Sequence, residues 1–267
     1  MIKVVWLFLI CMLWLSGCSS APERDYQVTR FKRQAAAWLA QGDSQRQQGN
    51  YQLALRYYDN AFRYASRRHD PQQMGLARLK QAAVYISQGH TTQAEDKIAE
   101  AVMFDKNEHT ELKPAIDFMR SKLAFARGQQ AQALALVEQL QTRFADDAQR
   151  RIYYRWVGWQ YAPSRLDWLQ AEKDIQTLFK LKADKALNNI EVLSFVIYHN
   201  LVWRIATTRD KVPAALDIAI KHFASLELTN RLIECFDIAA KYYNDAGDID
   251  RALYYKARFT QLRGSVN

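Results

Sequence analysis

Chain breakers are scarce in this sequence. Nine glycines and five prolines serve 267 residues, and so few over that length argue for long helices joined by short turns. Cysteine is scarcer still, with Cys11, Cys18 and Cys235, and catalytic signatures are missing altogether. The chain holds no P-loop, no GxGxxG, no GxSxG elbow, no HExxH and no CxxC pair. Its five histidines, His69, His90, His109, His199 and His222, fall in turns or at scattered positions without a ligand partner at helical spacing, so they are expected as solvated or capping residues and not as metal ligands. Paired carboxylates such as Asp146 and Asp147 stand beside a helix start, where acids commonly cap. No metal, no cofactor and no catalytic residue is therefore expected, and the chain reads as a non-enzyme.

What is present begins at the N-terminus. Residues 1–17, MIKVVWLFLICMLWLSG, carry one early positive charge at Lys3 and an apolar run too short for a comfortable membrane span. They end in Leu15-Ser16-Gly17-Cys18, which resembles the lipobox of bacterial lipoproteins. That resemblance implies cleavage before Cys18, a diacylglyceryl group on its thiol, acylation (palmitate) of the new amino terminus, and stable anchoring by several acyl chains. Ser19 in place of Asp implies the outer membrane and a periplasmic face. Residues 18–30, polar and carrying Pro22, read as the lipidated terminus and a flexible tether. With Cys11 in the leader and Cys18 lipidated, Cys235 is the single remaining thiol, so no internal disulfide is possible, and it is expected as a small buried residue.

The body, residues 31–267, is organised around residues 37–61. Trp38, Gly42, Gly49, Tyr51, Ala54, Tyr58 and Ala61 there fall at the spacing of a tetratricopeptide repeat (TPR), the roughly 34-residue helix-turn-helix unit that stacks into solenoids. Small residues allow two helices to approach closely, the aromatic residues fill the space between them, and Gly49 stands where the chain must turn. The pattern recurs with Gly89, Ala94 and Ala101, then with Gly128 and Ala133, and near the end with Gly247 and Ala252. Two further pairs are expected over 150–181 and 189–224, with turns at Pro163 and ahead of Ala214. The expected fold is all-α, a TPR-like α-solenoid of about six antiparallel helix pairs forming a right-handed superhelix. Strict register in the third pair puts Asp117 and Arg120 at buried positions, which implies a local shift.

Two surfaces are candidates for a partner. The inner positions of the first helices lack the Lys/Asn clamp of chaperone-binding TPR proteins. They draw instead an apolar line through Leu39, Leu79, Ile86, Phe118 and Phe125, which either lines a groove for a helix or extended segment or, if longer linkers rotate the helices, belongs to the core. The second is RRIYYRWVGWQY, whose apolar arc is wider than one packing face needs. Trp156, Trp159 and Arg155 in it either meet a second layer or dock a partner protein or glycan, with Arg150 and Arg151 beside them for acidic groups.

The net charge of +9 is dispersed along helices, and export argues against nucleic acid, so the charges are expected mostly as a solvated face that can also meet acidic partners, headgroups or glycan carboxylates. In size and layout the chain resembles TPR lipoproteins that serve type IV pilus assembly. That resemblance implies a scaffold that holds a peptide or protein segment during envelope assembly. A regulator of peptidoglycan synthesis or hydrolysis is the alternative, and a glycan-cleaving enzyme the outsider.

Overall fold

The computed structural model describes residues 30–105 and 112–264. The leader at 1–17, Cys18 and the tether up to residue 29 lie outside the described residues, as do His109 and Cys11. Twelve α-helices, one short 3-10 turn and no strand make up the described residues. They are α1 (Arg30–Gln47), α2 (Tyr51–Ser66), α3 (Pro71–Ser87), α4 (Thr91–Val102), α5 (Leu112–Ala126), α6 (Gln130–Arg143), α7 (Ala148–Tyr161), α8 (Trp168–Ala183), α9 (Ile190–Ala206), α10 (Val212–Ser225), α11 (Thr229–Asp245) and α12 (Ile249–Gly264), with the 3-10 turn Pro163–Arg165 between α7 and α8. The class is an all-α solenoid of antiparallel helix pairs, six of them counting α5 with α6. The body expected over 31–267 comprises two compact units, and the boundary between Ile116 and Asp117 falls within α5.

In the first unit α1 packs on α2, α2 on α3, and α3 on α4. Small residues make that approach possible. Ala54, Ala61, Ala77, Ala94 and Ala101 are fully buried, and a methyl group on Gly42 would lie 2.4 Å from the Tyr58 ring. Tyr58 is itself fully buried, and its hydroxyl donates to Asp43 Oδ1 at 2.8 Å, while Lys80 holds the other carboxylate oxygen at 2.6 Å. Burial, then the Asp43 carboxylate, pushes the Tyr58 phenol above its ordinary value. Trp38 lies half-buried with its ring 5.3 Å from that of Tyr57, and Tyr51 is half-buried beside the Ala54 and Tyr58 cluster.

In the second unit two cores meet on one helix. Ile152, Trp156 and Trp159 of α7 enter a core shared with α8 to α12, whereas Tyr154, Val157 and Tyr161 enter one shared with α5 and α6 that includes Ala133. The arc too wide for one face is thus consumed by packing on both sides of α7. In α5, Met119, Ser121, Leu123 and Ala124 are buried, whereas Arg120 is exposed and lies 3.5 Å from the half-buried Asp117. Neither charged residue occupies the interior position that strict register assigned to it; the inward side of α5 falls on their neighbours.

The turns share one device. Gly49, Gly89, Gly128 and Gly247 have φ between +75° and +81°, and each is followed by an amide that reaches back to the last helical turn, as His90 N–H does to Tyr85 O at 2.8 Å. This is the left-handed helix cap that glycine adopts without side-chain strain. Three other turns do the same with His69, Lys185 and Glu227, at φ +54° to +56°, and Arg209, at +53°, sends its own N–H back to Arg204 O at 2.7 Å. Asp70, Asp147, Asp167 and Asn189 cap the helices that follow them through their side chains.

Two reciprocal outcomes are expected in urea unfolding. Gly89→Ala, whose added methyl meets nothing within 4 Å, should lower stability by about 1 kcal/mol through backbone strain alone, and Lys185→Gly should raise it by about 0.5 kcal/mol. Gly42→Ala should cost roughly 2 kcal/mol by overpacking against Tyr58.

Candidate partner surface

The residues expected on a partner surface divide sharply. Leu39 and Leu79 are core residues, 8% and 2% exposed, because each points into the helix pair and not out of it. The apolar line expected through the first unit does not exist as a surface there; Ile86 is half-buried. Trp156 and Trp159 are buried as well, at 0% and 7%. Trp156 donates its Nε1–H to Asp174 Oδ2 at 3.1 Å, stacks on Trp203 with centroids 5.3 Å apart, and meets Trp159 edge-on. Arg155 already has its acid, since Asp174 lies 2.5 Å away and is only 2% exposed. Gln170 donates to the same carboxylate at 2.8 Å. A buried carboxylate needs such partners, and removing Arg155 leaves its charge uncompensated. Arg155, Trp156 and Trp159 are therefore internal to the fold. Arg150 turns to Asp147 at 3.3 Å, and Arg151 donates to the Ala145 carbonyl.

What remains is a lane of half-buried rings within the second unit. Phe118 of α5 meets Tyr153 of α7 edge-on at 5.5 Å, and Tyr153 meets Phe195 of α9 at 5.2 Å. Phe195 continues to His199 at 4.2 Å, and His199 to Trp203 at 5.2 Å. Tyr198 lies against His199, with the Arg231 guanidinium of α11 4.3 Å above the Tyr198 ring. At the other end Lys122 sits 4.5 Å over Phe118, and Phe125, 41% exposed, stacks on Tyr161 at 4.4 Å. The rings thus cross the first helices of three successive pairs, α5, α7 and α9, with Arg231 of α11 beyond them. Rings of this kind offer large contact area at little conformational cost, and the Arg231 at one end is itself paired with Glu234 at 2.6 Å.

Sequence reasoning reached Phe118, Phe125 and, within the α7 arc, Tyr153, but missed Phe195, His199 and Trp203. The signal was the 4-residue spacing of Phe195, His199 and Trp203 on one helix, hidden because α9 is apolar almost all round. His199 is no solvated residue: burial holds its imidazole below its ordinary value, with the Phe195 carbonyl accepting from or facing Nδ1 at 3.0 Å. His222 departs further from expectation. It is 5% exposed, its Nε2 is 2.8 Å from Ser194 Oγ, and its buried Nδ1 has no hydrogen-bond partner among the described residues. Burial, aided by Lys182, pushes it down to about 4.

Two further features frame the lane. Arg204, 4% exposed, ties α8 to α9 by donating to Glu172 at 2.9 Å and to Asn200 at 3.1 Å, and Lys211 completes the cluster at 2.7 Å from Glu172. Those hydrogen bonds, Lys211 first, hold the Glu172 carboxyl below its ordinary value. A cleft of about 450 Å³ opens between α10, α11 and α12, lined by Ile220, Phe236, Tyr254, Tyr255 and Arg258 among others. Cys235 is fully buried, and burial pushes its thiol up to about 12. Among the described residues no three His, Cys, Asp or Glu side chains gather as a metal site, and no helix is long and apolar enough to cross a membrane.

No protein-family model matches the chain, and no curated protein does. Solved structures share its fold. A Rap protein crystallised in complex with competence and sporulation factor is similar with a TM-score of 0.58 at 16% identity, over 87% of this chain and 75% of that one. BtubC (BKLC) from P. vanneervenii gives 0.59 at 15%, over 90% and 93%. At such identities the likeness is one of helical architecture.

The buried histidine generates a pH dependence. An unfolded imidazole near 6.5 takes up a proton that folded His222, near 4, refuses, so stability is full above about pH 6.5 and falls as pH drops towards 4. Between about pH 7 and pH 5 the loss should be roughly 2 kcal/mol in urea titrations, and His222→Leu should remove most of that slope.

Proposed function

We propose that the protein is a periplasm-facing outer-membrane lipoprotein whose helical-repeat body holds a segment of another envelope protein, as a scaffold for assembly of a pilus or secretion type. The observation that carries the binding half of this reading is the lane from Phe118 through Tyr153 and Phe195 to His199 and Trp203. Packing has already been satisfied on the other side of α7 and α9, yet these rings remain half exposed on consecutive first helices. An amphipathic helix or an extended peptide laid across them covers the rings together and finds Lys122 and Arg231 at the ends. A similarly folded Rap protein, crystallised with competence and sporulation factor, gives the architecture a precedent for holding a bound factor. The membrane half rests on the Leu15-Ser16-Gly17-Cys18 sequence, and the type of envelope assembly on the resemblance in size and layout.

A photo-crosslinking amino acid at position 199 in living cells should trap one envelope protein, and the same residue at exposed Gln176 on α8 should not. Tyr153→Ala and Phe195→Ala should each weaken the purified complex by roughly thirtyfold, the equivalent of about 2 kcal/mol per aromatic anchor. Capture at 176 with none at 199 would overturn the assignment of the surface, and capture of peptidoglycan fragments would favour the glycan-binding regulator instead. Mass spectrometry of the mature N-terminus should find Cys18 acylated, and Cys18→Ser should release the protein into the aqueous fraction.

A further inference from the structure

One tip of the first helix pair gathers six cations, four of which pair with no acid among the described residues. Arg30, Lys32 and Arg33 open the described part of α1, and no acid stands beside them there. The last turn of α2 and the residues after it bring Arg63, Arg67 and Arg68 to the same end. The juxtaposition is held by rings, with Phe31 and Tyr64 centroids 6.1 Å apart and the Arg67 guanidinium 5.9 Å and 5.2 Å from them. Arg30, Lys32, Arg33 and Arg67 form no ion pair with any described residue. Among the described residues, the acids nearest α2's end of the tip are engaged: Asp59 lies 3.0 Å from Arg63 and 3.8 Å from Arg78, and Asp70 accepts the Gln73 N–H at 3.1 Å. Residues 30–70 carry eight Lys or Arg against three Asp, five of the nine net positive charges of the chain. Phe31, 39% exposed, stands among them.

We propose that this tip is a membrane-contact site, taking the phosphates of anionic phospholipid headgroups while Phe31 enters the headgroup boundary. Clustered cations without acids repel one another and are relieved by a surface of fixed negative charge, and exposed Phe among Lys and Arg is the composition of interfacial segments. Position argues the same way and rests on the lipid-anchor reading. The twelve residues from Cys18 to Arg30 span at most about 40 Å, so the tip is the part of the body that the anchor keeps nearest the bilayer. The contact would fix how the scaffold stands on the membrane and not merely that it is attached.

The test uses the full chain, as isolated from cells, reconstituted into vesicles of phosphatidylcholine alone or doped with phosphatidylglycerol, both carrying a nitroxide headgroup lipid. A fluorophore is placed at Ser66→Cys beside the tip, or at Gln48→Cys in the turn at the opposite end of the pair. Quenching at 66 but not at 48 should rise when phosphatidylglycerol is present and decline with salt. In Lys32→Gln/Arg33→Gln/Arg67→Gln the affinity of the tip for the doped surface should fall about a hundredfold, near fivefold per cation, with the helical circular dichroism unchanged. Inorganic phosphate replacing chloride at constant ionic strength should leave the quenching intact; if it abolishes the signal, the site takes single phosphate ions and the surface proposal is wrong. Equal quenching at 66 on neutral and anionic vesicles, or no effect of the triple variant, would overturn it likewise. Retention of the protein on neutral vesicles reports the anchor alone, so failure of the anchor and failure of the tip read differently.

Discussion

A helix pair of this size cannot bury its own apolar face, and every element here depends on a neighbour that covers it. The dependence is most concrete at the small residues. Ala54 and Ala61 in the first unit, and Ala133 in the second, are buried completely because another helix stands where a larger side chain would. Gly42 goes further, since the Tyr58 ring occupies the space of its missing Cβ. From that contact follows the hydrogen bond of Tyr58 to Asp43 and the hold of Lys80 on the same carboxylate, a polar chain with sense only if the ring is driven in against glycine.

Such packing also decides what is left for function. In α7 both flanks are spent on cores, so its tryptophans, conspicuous in the sequence, are structural. The buried Asp174 that holds Arg155 and the Trp156 indole converts an apparent docking patch into a polar pin between α7 and α8. Arg204 does the same between α8 and α9 with Glu172. The rings that remain half exposed are those on the first-helix side. They are linked edge to edge from Phe118 to Trp203, a continuity that single exposed aromatic residues would not show.

The glycine turns and the alanine spacing made the helix pairs legible from residues alone, including the weak pairs over 150–181 and 189–224, whose helices fall at α7 with α8 and α9 with α10. Positive-φ turns at His69, Lys185, Arg209 and Glu227 were not legible, because the left-handed conformation there is imposed by the flanking helices and no glycine marks it. The partner surface was half legible. Phe118 and Phe125 stood at inner positions, but Leu39 and Leu79 at equivalent spacing turn inward, and spacing alone cannot tell a groove from a core when helix rotation changes from pair to pair. Asp174 and His222 were invisible for a similar reason, since their partners lie 18 to 28 residues away in the chain.

Hydroxyl-radical footprinting of the protein, free and in the complex isolated with it from envelopes, tests the central claim most directly. Tyr153, Phe195 and His199 should oxidise in the free protein and be protected together in the complex, while the exposed Leu253 and Tyr254 of α12 stay reactive in both. Rings of the lane that remain as reactive in the complex as in the free protein, or protection confined to α12, would contradict it.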